Sequence, residues 1–480
     1  MDPEEFRRLG HRFVDWVADY RAGLDALPVG ATVEPGWVRG QLAADLPERP
    51  RPLEELLAEV DRVVVPASAH WQHPGFFGYF PANASLTSLL GDLLSGGLGA
   101  QGMLWSTSPA CTEVEQVLLD GLAAALGLGK EFTFDGGGGG SIQDSASSAV
   151  LVALLAALHR TSDGAWRETG TDGLERVYLT AETHSSLAKA ARVAGLGAGA
   201  VRVVEPCAGS LAMSPDALAA AMAADVAAGL RPVLVCPTIG TTGTGAVDPV
   251  REIAQVAREH GAWVHVDAAW AGVAALCPEF RHLLDGVELV DSFCTDAHKW
   301  LLTAFDASML WVRDGVALPA ALSITPEYLR NAASESGEVV DYRDWQVPLG
   351  RRFRALKLWT VLHGLGLQGL RAHLRGHVAL ASELASWVRA DPRFTLAVPP
   401  SLALVCLRVV GRDGTPDDSA DDRATRAVLE RVNAAGSALL THTVVDGRYV
   451  IRVAIGSVAT RRRHVEALWT ALCEAADAVR

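Results

Sequence analysis

The chain has 480 residues, 49% of them hydrophobic, and a formal net charge of −14. That length allows roughly two to four domains with a large buried core, and the acidic balance argues against a general binder of nucleic-acid phosphates. The longest apolar run, Ala149 to Leu158, falls well short of the roughly 20 residues that cross a bilayer, so no membrane partner is expected.

The acidic start, Met1-Asp2-Pro3-Glu4-Glu5, lacks the basic region of a secretory leader. Seven cysteines are dispersed without a CxxC pair, the pattern of reduced thiols in a cytoplasmic protein and not of a zinc site. Asp2, Pro3 and Glu5 sit as N-cap, first position and third position of a helix. Phe6, Leu9, Phe13, Trp16, Val17 and Tyr20 then recur at helical spacing. A second amphipathic helix carries Leu53, Leu56, Leu57, Val60 and Val64. Two apolar stripes this far apart cannot form a compact domain alone, so they are expected to clasp the main body or a second subunit.

From His70 to Pro109, aromatics crowd together with Gly and Pro around His73-Pro74-Gly75-Phe76-Phe77-Gly78-Tyr79-Phe80-Pro81-Ala82-Asn83. A rigid pocket wall and a packed loop core both fit that texture. Thr112 to Leu126 reads as a helix with Thr112 and Glu115 as a capping box. Next come Asp135, five glycines, and Ser141 to Ser148 before an apolar helix. A Gly/Ser loop opening a helix makes an anion site, because backbone N–H groups and hydroxyls converge on the positive helix end. No GKS or GKT follows, so this is not a Walker loop.

Beyond Arg176, short apolar strands alternate with helices. Strands are expected at Val177–Leu179, Val201–Val204, Val233–Cys236, Trp263–Asp267 and Val287–Phe293, and helices at Ser185–Ala194, Pro215–Ala228 and Pro249–Glu259. This alternation predicts an α/β fold with a mainly parallel sheet covered on both faces. Functional groups then collect beyond the strands' carboxyl ends, where His184, the Thr241–Gly245 turn, Asp267 and His298-Lys299 fall. A long helical region, Phe353 to Asp391, leads to strand Leu402–Val409. A polar surface loop follows at Gly411 to Asp422, then helix Arg423–Ala434, strand Tyr449–Ile455 and a last helix from Arg461. Arg351-Arg352-Phe353-Arg354 and Arg461-Arg462-Arg463 read as solvated faces or helix ends.

Lys299 stands between His298 and Trp300 where a strand gives way to a turn. Desolvation penalises an ammonium, so a lysine here is expected to reach its neutral, nucleophilic form near neutral pH, as a Schiff-base lysine must. The other reading of Lys299 alone is a strand-end lysine that snorkels to water. A phosphate cup, a nucleophilic lysine and a strand-end aspartate are together the three anchors of pyridoxal phosphate, with Asp267 pairing to the ring nitrogen. His184 would stack on one face of that ring and Ala269 would lie under the other.

Seven short motifs occur in order: the His73 to Ala82 stretch, Ile142-Gln143 to Ser147, His184-Ser185-Ser186, Gly240-Thr241-Thr242, His265 to Ala269, His298-Lys299-Trp300, and Pro348-Leu349-Gly350 to Phe353. The ordered set closely resembles the aromatic-L-amino-acid decarboxylases, the group II pyridoxal-phosphate decarboxylases. The likeness implies fold type I, with a seven-stranded, mainly parallel sheet in a large domain. The expected division is an N-terminal helical, dimer-clasping segment (1–80), a large coenzyme domain (81–355) and a small C-terminal α/β domain (356–480). It implies a homodimer with shared active sites, and conversion of an aromatic L-amino acid of the tryptophan, tyrosine, phenylalanine or DOPA type to the aryl-ethylamine and CO₂, with a non-aromatic or modified amino acid as the alternative substrate.

By the same resemblance, Ser145, Ala146, Ser147 and His298 would hold the phosphate. Thr242 would approach the phenolic oxygen and Asp267 the ring nitrogen. Trp71, Tyr79, Phe80, Pro81 and Ala82 would shape the substrate pocket. Gln101, Met103, Leu349 and Gly350 would reach in from the other subunit. Tyr328, or a relay through His184, would protonate the α-carbon, under a lid at Arg330–Val340. Asp296 departs from the Asn frequent in relatives, and a carboxylate there would repel a phosphate unless it points away or caps the turn. Trp270 replaces a common Tyr. Gly350 stands where the histidine-specific branch tends to carry Ser, leaving room for a phenol or indole. A sister outcome on the same scaffold is oxidative deamination to an aldehyde. Retention of Tyr328 and His184 favours the amine, and retention of Lys299, Asp267 and His184 opposes a catalytically silent binding protein.

Overall fold

The computed structural model describes residues 1–43, 45–411 and 418–479. They fall into two compact units. One comprises Ala82–Ala379 and Pro400–Leu404, and the other Met1–Pro81, Leu380–Pro399 and Val405–Arg480. The N-terminal helical segment therefore clusters with the C-terminal residues. The boundary in the long helix falls at Ala379, not at the expected 355/356, because the first half of Ala355–Ala390 packs with the larger unit. Gly366, at φ 59°, breaks that helix internally.

The larger unit is built on seven strands: β1 (Gly139–Gln143), β2 (Glu175–Leu179), β3 (Val201–Val203), β4 (Arg231–Val235), β5 (Trp263–Asp267), β6 (Ser292–Asp296) and β7 (Ser308–Val312). Their order is β1-β7-β6-β5-β4-β2-β3. The pairs from β3 through β6 are parallel, while β7 runs antiparallel to both β1 and β6. Helices Ala146–Thr161, Ser186–Val193, Pro215–Ala227 and Val250–Glu259 supply crossovers. The first turns its Ala149, Val152, Ala153, Leu154 and Ala157 side chains into the core, all fully buried.

Two strands of the larger unit, β1 and β7, were not expected. β1 lies in the glycine run, and its glycines answer to crowding: a Cβ at Gly139 would meet the Phe134 ring at 2.6 Å and one at Gly140 would meet Trp311 at 2.9 Å. These glycines let β1 lie against β7, and the anion-binding end begins later, at Ser145. The Val287–Phe293 strand is displaced. Val287–Leu289 is a 3₁₀ turn and the strand runs Ser292–Asp296. The capping box at Thr112 is likewise replaced. The helix starts at Pro109 with Ser108 accepting from the Cys111 N–H (3.3 Å), which frees Glu115 for other work.

The smaller unit carries β8 (Phe394–Leu396), β9 (Leu404–Val409), β10 (Thr441–Val445) and β11 (Arg448–Ala454), in the order β10-β11-β9-β8. Helix Pro3–Ala22 opens as expected, with Asp2 accepting from the Glu5 N–H at 2.8 Å. Of its apolar stripe only Leu9 is buried. Helix Asp418–Ala434 starts earlier than Arg423, and residues 412–417 of the expected surface loop lie outside the described residues. All seven cysteines are free thiols. Among the described residues no helix is long and apolar enough to cross a membrane.

Candidate active site

Strand β6, buried at every residue, delivers one helical turn, Ala297–Trp300, at its carboxyl end. The turn is pinned from several sides. The Asn83 N–H donates to the His298 carbonyl (2.7 Å), and its side-chain amide donates to the Lys299 carbonyl. Trp300 stacks on Trp270 with ring centroids 5.1 Å apart, and its indole N–H donates to His377 Nδ1 at 3.1 Å. His298 Nδ1 accepts from the Ala307 N–H at 3.0 Å. The Lys299 backbone is therefore fixed, while its side chain remains 26% exposed.

That side chain points at Asp296. Nζ lies 2.8 Å from Asp296 Oδ2, and His298 Nε2 lies 3.5 Å from the same oxygen. Burial works against the Lys299 charge, but the Asp296 charge and hydrogen bond, followed by Asp267, outweigh it and lift the ammonium above its ordinary range. The expectation of a depressed lysine is thus corrected: desolvation is present, and two carboxylates overrule it. Asp296 is held below the usual carboxylate range. Burial raises it, but Lys299 and His298 together pull it further down. Its Oδ2 points at the lysine.

Asp267 ends β5, the neighbour of β6, and is 7% exposed. Its Oδ1 accepts from the Ala269 N–H at 3.0 Å. Burial pushes its carboxyl up, opposed by the charge of Lys299. Among the described residues no cation comes within ion-pair distance of Asp267, so a buried carboxylate waits for a positive partner. A protonated ring nitrogen suits that need.

The remaining expected residues surround this pair at other strand ends. Ser145 caps helix Ala146–Thr161, accepting from the Ser148 N–H at 3.3 Å, with Ser147 exposed beside it. After β4 the chain turns through Gly240, where φ is 84° and a Cβ would meet Ala271 at 2.6 Å. Thr241 and Thr244 join hydroxyls at 3.1 Å, and Thr244 donates to Glu182 at 3.0 Å. The turn is rigid and displays Thr242. His184 Nδ1 accepts from the Ser186 N–H at 3.2 Å, which leaves Nε2 on an exposed ring.

Gln101, Met103 and Gly350 form a second group. Gln101 Oε1 accepts from the Arg351 N–H at 2.6 Å, and the Met103 carbonyl accepts from the Arg343 N–H at 3.0 Å. A Cβ on Gly350 would stand 3.4 Å from Gln101 Nε2, and Leu349 is exposed. Arg351, expected on a solvated face, is instead 4% exposed and ion-paired with buried Glu115. Sequence reading missed this partner because Glu115 had been given to a capping box. Tyr328 is not brought to Lys299. It stands 78% exposed on the turn Glu327–Leu329, ahead of the short helix Ala332–Ser336.

In the smaller unit, Trp71 stacks on Phe76 at 4.6 Å and on Tyr79 at 5.6 Å, and Arg452 lies over the Phe80 ring at 5.2 Å. The Phe77 N–H donates to the Leu439 carbonyl at 3.0 Å, and a Cβ at Gly78 would strike Leu439 at 2.6 Å. The Gly-Phe-Phe-Gly spacing thus serves close backbone lacing, and the aromatic loop is rigid.

A lysine amine on a fixed turn, a buried carboxylate with no cation in ion-pair reach among the described residues, and a capped helix start, gathered beyond the carboxyl ends of one mainly parallel sheet, are the working parts of a fold type I enzyme of vitamin B6. Residues 35–410 match the pyridoxal-dependent decarboxylase conserved domain, and the chain belongs to that family. It is a carboxy-lyase that depends on pyridoxal 5'-phosphate. The chain is 43% identical to tryptophan decarboxylase 2 of Oryza sativa subsp. japonica, covering 100% of this chain and 96% of that protein. It is also 43% identical to phenylacetaldehyde synthase of Arabidopsis thaliana, over 99% of this chain and 97% of that one. Its fold superposes on Oryza sativa TDC, solved with PLP and tryptamine, at a TM-score of 0.95 and 42% identity, covering 100% and 99% of the two chains.

Proposed function

We propose that this chain decarboxylates an aromatic L-amino acid, of the tryptophan, tyrosine, phenylalanine or DOPA type, and releases the aryl-ethylamine. The observation that carries the reading is Lys299 held beyond β6 beside Asp267, a buried carboxylate lacking a cation. The aromatic preference is supported by the lack of a side chain at Gly350, beside Gln101, and by the names of the relatives.

Bound pyridoxal phosphate supplies an electron sink for the pair left when the α-carboxylate departs. Ser145, Ala146, Ser147 and His298 would hold its phosphate at the positive end of the Ala146–Thr161 helix. Thr242 would meet the phenolic oxygen and Asp267 the ring nitrogen, while His184 and Ala269 would flank the ring. Lys299 would hold the coenzyme through its amine. Tyr328, just ahead of the Arg330–Val340 lid, or a relay through His184, would return a proton to the α-carbon. Phe80, Pro81 and Ala82 enclose the side chain together with Gln101, Met103 and Leu349 of the partner subunit in a cytoplasmic homodimer.

The test is a panel of L-amino acids scored at once for CO₂, amine, aldehyde and peroxide. Amine equal to CO₂ is the expected result, and peroxide equal to CO₂ would replace the reading by the aldehyde-forming one. Lys299→Ala is expected to remove the absorbance band of the attached coenzyme.

A further inference from the structure

Among the described residues Asp296 is the one charged side chain within ion-pair distance of Lys299. Its carboxylate is 2% exposed, with Oδ2 at 2.8 Å from Nζ and Oδ1 without a hydrogen-bond partner. Asp267 also acts on Lys299, from the end of the neighbouring strand, but outside ion-pair distance. Two further titratable groups, Cys294 and His298, act on the amine or are acted on by it. Burial drives the Cys294 thiol far up, and burial holds His298 below its ordinary range. His184 reaches this cluster only through its field on Asp267.

We infer that Asp296 is a positioning residue for the catalytic lysine: whenever the Lys299 amine is not bonded to the coenzyme, Asp296 takes it as an ammonium and keeps it protonated. The consequence is chemical. An ammonium has no lone pair, so it cannot remove the substrate's α-proton, the step that would divert the reaction from loss of CO₂ toward transamination. It is also slow to recapture the coenzyme. The nitrogen must first give its proton to water, then attack the aldehyde carbon, whose oxygen leaves as water. An Asn at this position could accept a hydrogen bond but would not hold the charge. The inference rests on the pyridoxal phosphate assignment above.

The test uses the full chain stripped of coenzyme by a carbonyl scavenger and then given pyridoxal phosphate, with attachment followed by absorbance between pH 6.5 and 9. Wild type should attach it at a rate rising about tenfold per pH unit without a plateau, because only the scarce neutral amine reacts. Asp296→Asn should attach it at least ~10-fold faster at pH 7 and level off at lower pH, while Asp296→Glu should keep the wild-type profile. A wild-type rate that is flat or level below pH 8 overturns the inference without any variant having to fold. So does an Asn variant with an unchanged profile. Failure of wild type to attach coenzyme at all would instead sink the coenzyme assignment. In turnover, the Asp296→Asn holoenzyme should lose activity earlier per CO₂ released and recover it with fresh pyridoxal phosphate. Equal loss in both proteins overturns the claim about α-proton removal.

Discussion

Removing the Glu115 carboxylate should damage this protein more than any single surface ion pair could. Its side chain and that of Arg351 are each 2% exposed and are paired directly. Glu115 also accepts from the Ile142 N–H at 2.6 Å, so it ties β1 to the Arg351 segment. Arg351 donates to Gln346 Oε1 at 2.6 Å and lies over the Tyr342 ring at 4.5 Å. Burial pushes the Glu115 carboxyl up, with Arg351 pulling back only in part. The pair therefore need not stabilise the fold relative to an apolar pair, yet breaking it leaves a buried guanidinium uncompensated. That costs about 3–5 kcal/mol, a fifth or more of an ordinary stability of about 5–15 kcal/mol. Glu115→Gln keeps an acceptor for Ile142 and should cost less, about 1.5–3 kcal/mol. Urea unfolding of the full chain at fixed coenzyme concentration measures both, since bound coenzyme adds to stability. KM for the preferred amino acid should rise as well, because Gln101 and Gly350 hang on the Arg351 backbone. The double variant Glu115→Gln, Arg351→Met should recover much of the loss. A cost under about 1 kcal/mol for Glu115→Ala, or a double variant worse than it, would refute the reasoning.

Asp267→Asn removes the charge offered to the ring nitrogen, so CO₂ release should fall by at least ~100-fold, about 2.7 kcal/mol of barrier. Single-turnover kinetics on the coenzyme-loaded variant measure this, and a fall under tenfold would contradict the assignment. Tyr328→Phe should keep CO₂ release but shift product from amine toward aldehyde and peroxide, so unchanged amine yield would remove Tyr328 from the protonation step. Burial depresses the His265 imidazole to about 3. The unfolded chain takes that proton below its ordinary value and the folded chain does not, so stability present above about pH 6.5 is lost as pH falls toward 3, by up to about 5 kcal/mol. Burial raises Asp248 to about 6, which works the other way and offsets part of the loss below that pH. His265→Gln should flatten the acid limb of a stability–pH curve, and an identical limb would refute the point.

The periodic parts of this fold were legible in the sequence because one force dominates them. β5 was readable to the residue at Trp263–Asp267, since a fully buried parallel strand is a continuous apolar run. Three crossover helices were within a residue of their expected bounds for the same reason, and the first begins three residues before Ala149. β1 and β7 were not legible. The Gly136–Gly140 run reads as part of an anion-binding Gly/Ser loop, whereas Gly136, Gly139 and Gly140 answer to the closeness of the Lys130 carbonyl, Phe134 and Trp311. Val287–Leu289 looks like a strand, but the register of β6 with β5 places the pairing residues at Ser292 to Cys294. The chemistry-bearing residues Asp267, His298 and Lys299 were found because their types are rare at strand ends. The pairings of Glu115 with Arg351 and of Asp296 with Lys299 differ in kind. The first joins residues distant in sequence, and in both the spacing alone does not say which way a carboxylate points.

That second pairing changes how the site's charge should be understood. A lysine between hydrophobic neighbours invites the argument that burial alone makes it nucleophilic. Here burial pulls one way and two carboxylates pull the other, and the contact at 2.8 Å decides the sign. The amine is therefore not activated by its surroundings in the chain itself. Its reactivity has to come from whatever lowers the field of Asp296 and Asp267 together, and a coenzyme whose protonated ring nitrogen engages Asp267 removes one of the two. Asp296 keeps the other, so the lysine returns to its charged state each time the substrate displaces it.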